Sequence, residues 1–136
     1  MTQFQLETTE KLTIQSYSSG EINIALSGNQ SEQQSPNSTQ CMTTSFILTP
    51  HTVVQNWLYD KVADLNAESF EPLIEHQPEL VVLGTGEKLS FPDHQALMSF
   101  HKAGIGVEVM NTASACRTFN VLVSENRFVV AGLLMI

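Results

Sequence analysis

Residues 80–86 read LVVLGTG, and residues 104–136 read GIGVEVMNTASACRTFNVLVSENRFVVAGLLMI. Leu80 to Leu83 is continuously apolar between Pro78 and Gly84, which predicts a strand covered on both faces, as in a parallel sheet. Ile105 to Met110 is the next strand. Asn111 or Thr112 can cap the helix that follows. In that helix Ala115, Cys116, Phe119, Leu122 and Val123 fall at i, i+1, i+4, i+7 and i+8, making one apolar face. Asn126 accepts the left-handed conformation that ends it. Phe128 to Met135 closes the chain as a strand, expected to be central. Between the first two strands a helix begins after Pro92 or Asp93, with Leu97, Phe100 and His101 on one side and Gly104 as its terminator. Strand–helix–strand–helix–strand implies a mixed or largely parallel sheet with helices packed on it.

Upstream the signals are weaker. Leu12 and Ile14 alternate with polar residues, as do Ile22, Ile24 and Leu26, with Ser18-Ser19-Gly20 between, which predicts a β-hairpin. Residues 27–44 are rich in Ser, Gln and Asn, contain Pro36, and offer Met42 as their large apolar residue, so they are expected to form a long flexible loop. Ser45 to Leu48 suits a short strand. Thr49 as cap and Pro50 at the first position predict a helix, with Val53, Val54, Trp57 and Leu58 on its apolar face. Phe70, Leu73 and Ile74 suggest a short helical face, limited by Pro72.

Length and composition bound the class. The chain has 136 residues, 42% hydrophobic and 15% charged, which suits one globular domain over 1–136. Fourteen acidic residues against six basic ones give a formal charge of −8. Such a surface repels a phosphate backbone, so nucleic acid is not an expected partner. Two distant cysteines, Cys41 and Cys116, make no disulfide framework and favour a reducing compartment. Residues 1–7 show neither the basic nor the apolar region of a secretory leader. No apolar run approaches the ~20 residues of a membrane helix. The expected location is the cytoplasm.

Three blocks carry a resemblance: SFILTPHTVVQNW at 45–57, LVVLGTG at 80–86, and GIGVEVMNTASACRTFNVL at 104–122 with SENR after it. In this order and spacing the chain resembles the Mth-domain family. The resemblance implies a three-layer α/β fold, a mixed central sheet with helices, and an N-terminal β-hairpin region beside it. The family has no accepted reaction. Its eukaryotic members, a respiratory-complex assembly factor and an adipogenesis-associated protein among them, act through protein partners. The function so implied is a non-catalytic interaction or assembly protein, linked to biogenesis of a respiratory membrane complex, that binds a protein partner or a second copy of itself.

The residues themselves suggest one alternative, a small-anion-binding protein or enzyme. Gly84, Thr85 and Gly86 follow an apolar strand, and such turns can aim N–H groups at an anion. The plainer reading is a tight turn, since neither a dinucleotide fingerprint nor a P-loop is present. Glu108 is an acid in mid-strand; its plainer reading is a solvated face or a structural pair with Arg117. Asn111, Thr112 and Arg117 open the next helix and could complete a cleft with the glycines, provided both strand ends point the same way. Their plainer roles are capping and surface charge. Cys116 lies near a helix start beside Arg117, but on the apolar stripe, which favours a core residue over a nucleophile. His51, His76, His94 and His101 form no ligand motif, so no metal or other cofactor is expected.

Overall fold

A computed structural model of the protein describes residues 11–27 and 39–136. The leader reading on residues 1–7 and most of the loop read over 27–44 lie outside these described residues.

The hairpin is present and larger than expected. β1 (Lys11–Ser18) and β2 (Glu21–Ser27) pair antiparallel around Gly20, and β3 (Thr39–Met42) adds to β2 with Ile22 opposite Met42. The 27–44 loop is thus corrected at both described ends. Ser27 finishes β2, and the polar residues 39–41 sit in a strand because its backbone bonds to β2 while Met42 alone is buried.

The second sheet has the order β5-β4-β8-β6-β7. It comprises β4 (Phe46–Leu48), β5 (Val53–Val54), β6 (Leu80–Gly84), β7 (Gly106–Met110) and β8 (Val129–Leu133). β7, β6 and β8 run parallel, while β4 and β5 are antiparallel additions. β8 is central and wholly buried, as its unbroken apolar run requires.

Three helices pack on this sheet among the described residues: α1 (Ala67–Glu75), α2 (His94–Lys102) and α3 (Thr112–Ser124). α1 and α2 cover one face, with Phe70, Leu73, Ala96 and Phe100 against Val81, Leu83 and Val130. α3 and the three-stranded sheet cover the other, where Cys116, Phe119 and Val123 meet Ile14, Ile22, Ile24, Val82 and Ala131. The result is three layers with a mixed central sheet. Each fully buried Phe or Leu in these two cores contributes roughly 1.5–3 kcal/mol.

The helix predicted from Thr49 and Pro50 does not form. The Thr49 hydroxyl accepts from the N–H groups of His51 (3.0 Å) and Thr52 (2.9 Å), which closes a turn instead of opening a helix. The chain then doubles back, and Val53 and Val54 pair with Leu48 and Ile47. Leu58 is 78% exposed, whereas Trp57 is buried. The Trp57 ring lies on Gly132, where an added Cβ would stand 2.9 Å from Cη2, and its Nε1–H donates to the Ser69 carbonyl at 2.8 Å. α1 begins at Asn66, whose side chain and that of Ser69 bond reciprocally to each other's N–H. Pro72 is accommodated inside that helix.

Candidate functional site

β6 and β7 run parallel with Gly84 opposite Met110, so both strand ends face the same way, as a cleft there requires. The structure brings Gly84, Thr85, Gly86, Asn111 and Thr112 together at that end. It places Arg117 more than a turn further along α3 and Glu108 down the edge strand.

The space between them is filled. Thr112 is fully buried, and its hydroxyl accepts the Gly86 N–H at 2.8 Å while donating to the Leu134 carbonyl at 2.7 Å. The Thr112 N–H donates back to the Gly86 carbonyl at 2.9 Å. A Cβ at Gly84 would meet Thr112 Oγ1 at 2.8 Å, so glycine there is the condition for α3 to approach. Gly86 has φ +102°, the left-handed region that suits glycine. The Thr85 N–H donates to the Met110 carbonyl (2.9 Å), and its hydroxyl donates to the Lys88 carbonyl (2.7 Å). The N–H groups of Thr85 and Gly86, which an anion would need, are thereby committed inside the protein.

The remaining candidates have local partners. Asn111 caps α3 by accepting from the Ser114 N–H at 2.8 Å. Arg117 is exposed and donates to the Tyr17 hydroxyl (2.5 Å) and Ser114 Oγ (3.2 Å). Glu108 is exposed, and among the described residues the ion pair present is Arg127 with Glu79, not Glu108 with Arg117. Cys116 is buried in the core beside α3's other apolar residues. Burial pushes its thiol up to about 12, against a smaller opposing pull from the Arg117 charge, so it is a poor nucleophile. An open cleft of about 280 Å³ lies at the opposite ends of β6 and β7, lined in part by Ile74, Pro78, Gly104 and Ile105. Pro78 and Gly104 were legible there only as element boundaries; the cleft arises because α1 and α2 both end beside it.

This is a three-layer α/β fold whose strand-end turn is closed by a threonine latch and whose helix-borne thiol, Cys116, is buried in the core. Residues 14–134 match the family model described as a protein of unknown function (DUF498/DUF598), and the chain belongs to this family, the Mth-domain family. It is 40% identical over 89 residues to the human NADH dehydrogenase [ubiquinone] 1 alpha subcomplex assembly factor 3, covering 64% of this chain and 48% of that protein. The chain thus spans about half the length of the curated relatives it matches. A Bordetella parapertussis crystal structure superposes with a TM-score of 0.76 at 25% identity, covering 93% of this chain and 97% of that one. A Mth938-like domain from Bordetella pertussis gives 0.69 at 24% identity, covering 90% and 85%.

Proposed function

We propose that this protein is a non-catalytic interaction and assembly protein that works in the cytoplasm on the biogenesis of a respiratory membrane complex. The observation that carries the proposal is its 40% identity over 89 residues with the human NADH dehydrogenase assembly factor. The geometry supports the same reading. The best candidate for chemistry, the turn at Gly84 to Gly86, has its donors bonded within the protein. Large apolar side chains stand in solvent instead, with Phe91 66% and Leu89 53% exposed on the loop after β6. Exposed aromatic and aliphatic groups close together suit a surface that meets another protein.

The test is deletion of the gene in its own host, followed by native-gel separation of membrane complexes stained for NADH dehydrogenase activity. The expected result is a loss of the full-size complex with accumulation of smaller species, restored by the intact gene. A full complement of assembled, active complex in the deletion strain overturns the proposal.

A further inference from the structure

The described residues leave four strand edges, and three of them are closed or short. Along β1 the Leu12 N–H donates to the Pro50 carbonyl at 2.8 Å. Both backbone groups of Ile14 are taken by the Asn120 side chain, at 2.8 and 2.9 Å. β5 has two residues. β3 has four and exposes Thr39, Gln40 and Cys41. The fourth edge, β7, is five residues long and ends the larger sheet.

The ladder fixes which groups of β7 face outward. The Gly106 N–H donates to the Glu79 carbonyl (3.4 Å), and the Met110 carbonyl accepts from Thr85 (2.9 Å). The even-numbered residues therefore bond to β6. Alternation along a parallel ladder turns the N–H and C=O of Val107 and Val109 to the outer edge. Their side chains are half-buried against the α1–α2 core, while Glu108 stands exposed between them on the other face. The edge thus offers backbone donors and acceptors, an apolar flank and one carboxylate.

We propose that β7 accepts an extended segment of a partner protein as a sixth strand, and that this segment alternates apolar with basic residues. The backbone of Val107 and Val109 supplies the hydrogen bonds, as in other cases of strand addition. Charge selects the occupant. A second copy paired antiparallel through this edge sets Glu108 against Glu108 in the register that pairs Val107 with Val109, where both outward residues are used, and like charges directly opposite are unfavourable. The chain's formal charge of −8 adds to that repulsion and favours a basic segment. The inference rests on the assembly reading above and names the surface and the chemistry of its partner.

The probe is a short synthetic peptide alternating valine and lysine, with a valine–glutamate peptide as control, added at millimolar concentration to the isotope-labelled protein. Amide exchange is followed residue by residue. The lysine peptide is expected to slow exchange at Val107 and Val109 by about tenfold or more, as near-saturating occupancy requires. The glutamate peptide is expected to leave them unchanged, and Glu108→Lys to exchange the two preferences. Val109→Pro removes an outward N–H without breaking the bonds to β6, and is expected to abolish the protection. If that variant does not fold, the charge swap decides alone. Absence of protection by the lysine peptide, or equal protection by both peptides, overturns the proposal. Loss of the peptide effect alongside a deletion strain that still fails to assemble its complex sinks the edge and leaves the assembly reading standing. Protection at β7 alongside normal assembly does the reverse.

Discussion

The hydroxyl of Thr112 serves two backbone groups at once, the Gly86 N–H and the Leu134 carbonyl, in a fully buried position. Thr112→Val keeps the shape and removes both partners. Two buried groups left unpaired are expected to cost about 2–4 kcal/mol. Urea unfolding at unchanged slope measures it, and a loss under about 0.5 kcal/mol, the level of an ordinary surface substitution, rejects the latch. Thr112→Ser retains the hydroxyl and should lose only about 1 kcal/mol for the buried methyl. Cys116 makes a separate prediction. Its thiol is raised from the ordinary 9.0 to about 12 mainly by burial. A folded-state value above the unfolded one favours the neutral thiol in the fold. That contribution is complete below about pH 9 and disappears as pH rises toward 12. Stability in that window should fall by on the order of 1 kcal/mol per pH unit from this group, and Cys116→Ala should flatten the slope. A thiol reagent near neutral pH should modify exposed Cys41 in the native protein and reach Cys116 only after unfolding. Equal reaction rates in the folded state would contradict the buried assignment.

At the scale of elements, the three-stranded sheet is held to the rest by apolar packing against α3 and by Asn120, whose amide bonds both backbone groups of Ile14. Asn120→Ala opens that edge of β1. It is expected to cost about 1–3 kcal/mol and to speed amide exchange at Ile14 well beyond any change in β8. Uniform acceleration across the molecule would show that the hairpin sheet and the core open as one. The sequence made the second half legible because strong periodicity and clean punctuation coincide there. Asn111 caps α3, Asn126 has φ +63°, and Gly104 has φ +75°. The 49–58 segment misled because Val53, Val54, Trp57 and Leu58 fit a helical face, while the deciding contact, the Thr49 hydroxyl on two nearby N–H groups, leaves no periodic trace. β3 was hidden because a strand that buries only Met42 has no alternation to read. At the candidate site the glycine turn and the helix cap were visible. Thr112 was visible too, as a candidate lining residue, but not as the side chain that bonds Gly86 and closes the space, since that depends on how closely α3 approaches β6.

At the scale of the whole molecule, 14 acids and 6 bases share a small surface, and among the described residues one ion pair, Arg127 with Glu79 at 3.2 Å, offsets the repulsion. That pair is exposed on both sides, so its own contribution is small. The folded state brings the acids closer together than the unfolded chain does, and net self-repulsion opposes compaction. Screening should therefore stabilise the fold. The Debye length falls from about 30 Å at 0.01 M salt to about 8 Å at 0.15 M, which removes most of the repulsion between distant exposed carboxylates. Sodium chloride is the salt to use, because sulfate and phosphate strengthen burial by exclusion at any protein charge. Over that range the thermal midpoint at pH 7 is expected to rise by a few degrees, corresponding to about 1 kcal/mol or less. Near pH 4.8, the sequence isoelectric point, the same increment of salt should have almost no effect. A midpoint that falls with salt at pH 7 would mean that specific attractive pairs outweigh the general repulsion. A rise of equal size at both pH values would assign the effect to the salt acting on apolar surface rather than on charge.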